Sequence, residues 1–446
     1  MKEMTSRLLA LALTASLVLS GCGGTAAKDD DTAKAPDTKT EEKKEEQKEE
    51  KKEEAKEEKK GKPITDLVIS RLSTKEISGF NILYTQKGED FEGLSNLMDG
   101  LLEVDNTGKL VPGIAEEWGT DDEGHTWTFH VRQGVKWVNV NGEETAECNA
   151  QDFATGLEWI LNFHKNDSAN TSMPLEMIEG AQEYYEYTKT LSKEEAYALT
   201  AGEGSKFREM VGLATPDDYT LVYTCIDKKP YFDTLATYVS LYPASQQLID
   251  EIGVDGFRAV DNETMWYNGC YTMTTYIQNN EKIYTKNPLY WDTDCTLFDT
   301  VSVKMVESAD TAYHMYQSGE VDYVDLGESQ LNTIAKNPDN EFYRYLVPAT
   351  PAKYCYQLQL NYHKLFDDGS EDVNWNTAIA NEAFRLSWYY GLDLKEYYKR
   401  TNAIDPMVCE NNFYTMKGLV YTSDGTDYTE LVRQEMGLPE PNGETM

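Results

Sequence analysis

Val111-Pro112-Gly113-Ile114-Ala115-Glu116-Glu117-Trp118, then Thr126-Trp127-Thr128-Phe129-His130-Val131-Arg132 and Gly134-Val135-Lys136-Trp137, is the stretch whose reading decides the fold. Its middle part alternates cleanly, with Trp127, Phe129 and Val131 on one side, which is the pattern of a half-buried strand. Gly134 then turns the chain, a place where a positive φ is expected, and Asn141-Gly142 is a hairpin signal. Asn149-Ala150-Gln151-Asp152-Phe153 follows. Asn149 can cap a helix and Asp152 can serve its exposed amides, while Phe153, Leu157, Ile160 and Leu161 supply a buried face. The tryptophans and phenylalanines of this stretch read as core, not as ligand contacts.

The same reading extends in both directions. Strands are expected at 66–71, 219–226, 281–286 and 301–305, and helices at 91–102, 172–210, 309–318 and 378–399. The helix at 91–102 would carry Leu94, Leu97, Met98 and Leu101 on one face. Tyr184, Tyr185 and Tyr187 fall close together, either as packing or as an aromatic face for sugars. Pro288 is expected to end a strand and to pack Tyr290 and Trp291 against a neighbouring lobe. The class is α/β.

The beginning of the chain reads as an address. Lys2 and Arg7 give a positive start, and residues 8–19 form an apolar run too short to span a bilayer stably. Leu19-Ser20-Gly21-Cys22 closes that run and resembles the bacterial lipobox. The resemblance implies a signal peptide at 1–21 and a diacylglycerol on Cys22. Residues 28–62 contain no hydrophobic residue but alanine, so they cannot bury enough surface to offset their ordering entropy. They read as a Glu/Lys spacer. Its 12 lysines against 14 acids argue against a polybasic membrane-binding tail.

Residues 63–446 carry −36 of the chain's net charge of −37. So acidic a body excludes nucleic acid and anionic lipid as partners and favours cationic ligands, although an acidic surface also keeps an exported protein soluble. Its length calls for two or more lobes. Besides Cys22 there are six cysteines without CxxC spacing, expected as free thiols with one disulfide open. The five histidines show no metal-ligand spacing, and neither G-x-S-x-G nor H-E-x-x-H occurs. Asp367-Asp368-Gly369-Ser370-Glu371-Asp372 lacks EF-hand spacing and reads as an acidic surface loop. No metal and no cofactor are expected. A secreted glycoside hydrolase built on two carboxylates stays open as a rival, with no pair singled out.

The opening motifs, taken in order, resemble the extracellular solute-binding proteins of family 5, the lipoproteins of oligopeptide and dipeptide ABC importers. The match recurs at Asn268-Gly269-Cys270-Tyr271, Lys286-Asn287-Pro288-Leu289-Tyr290-Trp291, Ser318-Gly319-Glu320-Val321-Asp322 and Ala383-Phe384-Arg385-Leu386. The resemblance implies a two-lobed, periplasmic-binding-protein-like fold of the three-domain peptide-binding variant. Lobe I would take 64–102 and 219–306, lobe II 103–218, and 307–446 a partial lobe III. It implies a non-enzymatic monomer, lipid-anchored outside the cytoplasmic membrane, that holds an extended peptide between lobes and delivers it to permease subunits. An oligosaccharide ligand is the alternative within the family. Asp90, Phe91 and Glu92 are candidates for the ligand cleft, and Trp266, Tyr267 and Asn268 for its wall. The family's chains run on well past the helix at 378–399, so a truncated product with an unfinished lobe III is also an expectation.

Overall fold

Sheet pairing follows the alternation in the sequence. In the computed structural model, residues 65–437 are described, apart from 106–108, 121–122, 295, 348–357, 403, 410–414, 416–419 and 423–424. Cys22, the leader, the spacer, Cys295, Cys355 and the end of the chain lie outside the described residues.

One four-stranded sheet runs Asp66–Leu72, Thr300–Val306, Glu281–Lys286, Tyr271–Ile277. Its first pair is parallel, with Ile69 opposite Val303, and the other two are antiparallel. A parallel pair needs a long crossover, and here most of the molecule lies between its strands. The outer edge of Asp66–Leu72 is clamped by Asp322, whose N–H donates to Val68 O at 2.7 Å while its carboxylate accepts from Val68 N at 2.8 Å. Tyr323 extends the clamp as a bridge to Ile69.

The second four-stranded sheet is antiparallel throughout, in the order Ala115–Thr120, Thr126–Val131, Thr220–Thr224, Leu213–Asp217. Trp127, Phe129 and Val131 are buried as the alternation predicts. Phe129, Tyr223 and Phe232 form an aromatic cluster beneath them, with centroids 5.4–6.5 Å apart. The strand expected at 219–226 therefore belongs with the second sheet, and a lobe boundary at 218/219 would fall inside the Leu213–Asp217/Thr220–Thr224 hairpin.

Helix Ala150–Leu161 begins with the predicted capping box: Asn149 accepts from Gln151 N, and Asp152 accepts from Asn149 N. Behind it, a buried ion pair joins Lys165 to Glu158 at 2.7 Å, and Tyr184 O–H donates to Glu158 at 2.8 Å. Tyr184 is fully buried and serves packing, while Tyr185 and Tyr187 are half-buried.

Several expectations need correction. The helix placed at 91–102 is Gly88–Leu94. Leu97 and Leu101 are buried as expected, but this stretch of backbone is engaged elsewhere: Gly269 N donates to Leu97 O, Tyr271 N to Asn96 O, and Asp99 N to the side chain of Asn268. Gly134 does have a positive φ of 81°, whereas Gly269 does not. Gly269 is required by close approach, since a Cβ there would lie 2.6 Å from the Leu97 carbonyl carbon. The 172–210 region is four short helices, and 378–399 is covered by Val373–Ala380, Glu382–Gly391 and Lys395–Thr401. Helix Ala309–Ser318 is found as expected. Cys148 is a buried free thiol and Cys409 a free, half-buried one, while Cys225 is buried and Cys270 half-buried. Helix Gln246–Arg258 was not foreseen, because Gly253 interrupts its periodicity with a φ of 76°.

Candidate functional site

A cleft of about 920 Å³ opens against one face of the first sheet. Ile69, Tyr284, Val301 and Val303 line it from the sheet. Glu92, Asn96, Met98 and Asp99 form one wall, and Ala309, Ala312, Tyr323 and Asp325 another. An apolar interior with a few polar groups is the usual composition of a ligand site.

The geometry of the strand edge matters most. Thr65 O accepts from Asp299 N on one side of the first strand, and Val68 exchanges hydrogen bonds with Asp322 on the other. By the two-residue period of a strand, the backbone of Ser70 and Leu72 faces the same outer edge as that of Val68. Both residues line the cleft.

Of the six residues predicted to contact ligand, only Glu92 lines this cleft. It is exposed and forms an ion pair with Arg71, which also donates to Glu89 O at 3.4 Å. Asp90 is wholly buried and accepts from Ser78 N at 2.7 Å, Ser78 Oγ at 2.9 Å and Thr85 Oγ1 at 2.5 Å. It pins the loop before the helix, and a carboxylate so enclosed has no face left for a ligand. Phe91 packs against the core. Trp266 lies among Phe80, Trp137, Leu248 and Phe257, and the Tyr267 hydroxyl donates to Asn262 O. Asn268 holds Asp99 from both sides, accepting from its N–H at 2.9 Å and donating to its carbonyl at 3.3 Å. These three residues support the wall from behind and do not form its surface.

Asp99 is the residue the motifs did not reveal. It is 5% exposed, and Trp291 Nε1 donates to its Oδ2 at 2.9 Å. Burial, and then the nearby Glu103 carboxylate, push it up to about 7. The Arg132 guanidinium lies over the Trp291 ring, 4.2 Å from its centroid. The Tyr290-Trp291 pair thus packs against a neighbouring element, as its position after Pro288 suggests. The signal that could have found Asp99 was its place three residues before Leu102, at the foot of an apolar run. Among the described residues, no group of three or more His, Cys, Asp or Glu side chains is arranged to hold a metal.

The sequence profile described as "Bacterial extracellular solute-binding proteins, family 5 Middle" matches residues 109–404. The chain belongs to this family. The family-5 protein is 27% identical to the oligopeptide-binding protein AmiA of Streptococcus pneumoniae over 341 residues, covering 74% of this chain and 48% of that one. It is 26% identical to the OppA of Haemophilus influenzae solved in complex with RPPGFSPFR, with a TM-score of 0.50 over 62% of this chain and 49% of that chain. Listeria monocytogenes OppA, solved bound to peptide, shares the fold at 18% identity, with a TM-score of 0.58 over 85% of this chain and 70% of that chain. The chain spans about half the length of the curated relatives it matches. These relatives are named as binding proteins, not as enzymes, and the two-lobed peptide-binding fold is the fold of this chain. Among the described residues, no helix is long and apolar enough to cross a membrane.

Proposed function

We propose that this family-5 protein is the extracellular solute-binding component of an ABC importer, catching extended peptides in the cleft and presenting them to permease subunits. The observation that carries this reading is the outer edge of Asp66–Leu72, where Ser70 and Leu72 turn their backbone toward the cleft. An added extended chain gains main-chain hydrogen bonds along such an edge, with affinity that depends little on its sequence. The relatives named for oligopeptide binding support the same ligand class. Within this reading Cys22 is the lipid attachment site, the protein works as a monomer outside the membrane, and it performs no catalysis.

The lobe division belongs to the same proposal. Lobe I comprises 64–102 and resumes after Thr220–Thr224, lobe II holds the second sheet, and 307–446 contributes to lobe III. The pairing of Thr220–Thr224 with Thr126–Val131 supports moving the return point beyond 219. Glu92, together with Arg71 and Asn96, is proposed to contact ligand.

A thermal-shift screen of short-peptide pools and oligosaccharides against residues 63–446 tests the function. Peptides near saturation should raise the melting temperature by a few degrees. A shift with oligosaccharides and none with peptides would defeat the proposal.

A further inference from the structure

We propose that the end of the cleft formed by Asp99 and Glu103 receives a positively charged side chain of the bound ligand, an amine or a guanidinium, so that the protein prefers basic peptides. This rests on the peptide-binding reading and narrows its substrate class.

Asp99 is presented, not free to turn away. Asn268 fixes its backbone on both sides, Trp291 fixes one carboxylate oxygen at 2.9 Å, and the Tyr290 hydroxyl also donates to the carboxyl. The charges that act on it most strongly are the carboxylates of Glu103 and Asp292, so the pocket gathers negative charge. Of the two cations that line the cleft, Arg71 is committed to Glu92 and to Glu89 O, and Lys75 is exposed; Arg132, outside the cleft, bonds Gly113 O and lies over the Trp291 ring. A buried carboxyl among other carboxyls holds its proton near neutral pH, and an arriving cation removes that penalty and gains a charge-assisted hydrogen bond.

A second, independent feature points to a ligand in the same cleft. Thr296 is 7% exposed, lines the cleft, and its hydroxyl has no hydrogen-bond partner among the described residues. Buried hydroxyls are ordinarily paired, so this one is open to a ligand's polar group. Tyr242, Tyr271 and Tyr290 add aromatic wall, suited to the aliphatic stem and charged head of a lysine or arginine. The strongly acidic body draws cations toward the cleft from a distance.

The test uses titration calorimetry on the full chain with two sets of pentaalanine peptides. One carries a single lysine at each position in turn, and the other carries norleucine at the same positions. At one position, lysine should bind about tenfold more tightly than norleucine. That ratio should fall toward unity in Asp99→Asn. Glu103→Gln, at an exposed residue, provides the same readout if Asp99→Asn impairs folding. The ratio should also shrink at about pH 5.5, where Asp99 is protonated in the free protein. Glu103, Asp292, Tyr242, Tyr290 and the Cys148 thiol face Asp99 from the surrounding elements. Peptides that bind with a ratio near unity at every position overturn the cationic subsite and leave the peptide reading standing. If neither set binds and an oligosaccharide does, both fall together.

Discussion

Two helices of similar length show how far local sequence governs this fold. Ala150–Leu161 and Glu382–Gly391 each start from an asparagine, Asn149 and Asn381, whose side chain accepts from the amide two residues on at 2.9 Å. Each carries a tryptophan within an apolar stripe. In the first helix, every residue but Gln151 is buried. In the second none is, and Leu386, Trp388, Tyr389 and Tyr390 remain 37–55% exposed. Trp159 packs edge-on against Phe257 at 5.5 Å and Tyr84 at 6.2 Å, both distant in sequence, whereas Trp388 meets Phe384 of its own helix. Capping and periodicity make a helix and choose its apolar face. What covers that face is decided elsewhere in the chain.

The contrast has measurable consequences. Trp159→Ala should cost about 3–5 kcal/mol in urea unfolding, since it removes a fully buried ring, while Trp388→Ala should cost less than about 1 kcal/mol. Equal losses would mean that the second helix is covered in solution. The glycines sharpen the point further. A Cβ at Gly156 would lie 2.2 Å from Tyr242 O, so Gly156→Ala should lose about 1–3 kcal/mol or more, whereas Gly391 has open space and its alanine variant should gain about 0.5 kcal/mol.

The two regions should also answer oppositely to pH. Burial pushes Asp152, in the first turn of the buried helix, up to about 7 against hydrogen bonds from Trp137 and Asn149. A carboxyl raised on folding favours the native state most below its unfolded value of about 4, and that contribution fades as pH climbs through about 7. Asp372, which caps Val373–Ala380, is held low by Trp375 N–H and then by Lys364, so its contribution is present above about pH 4 and fades on acidification. Melting temperature should therefore fall between about pH 5 and pH 8, and Asp152→Asn should flatten that slope by a few degrees while Asp372→Asn leaves it intact. A slope unchanged by Asp152→Asn would show that the burial of this carboxyl does not set it.

Much of the scaffold was legible because it rests on short-range rules. The alternation of Trp127, Phe129 and Val131, the Asn149 cap and the Asn141-Gly142 turn each specify their element within a few residues. The site was not legible in that way. Its walls come from residues 67–75, 92–103, 242, 270–271, 284–306 and 309–327, and only the fold brings those segments together. Adjacency also misled. Asp90 and Glu92 are two apart, yet a helical turn sends one into the interior and the other to the cleft. The helix expected at 91–102 stops at Leu94, and Asn268, Gly269 and Tyr271, some 170 residues away, take up the backbone that follows.

The parallel pairing of Asp66–Leu72 with Thr300–Val306 has a consequence in time. The strand that is made early has its partner 234 positions later, since Asp66 pairs with Thr300. During synthesis, Ile69 and Leu67 therefore wait unpaired until the whole intervening chain has emerged. The second sheet, drawn from residues 115–224, can close first and act as a preformed block. Pairing with Thr300–Val306 and the Asp322 clamp needs the most distant segments of these sheets, and the same pairing forms one face of the cleft.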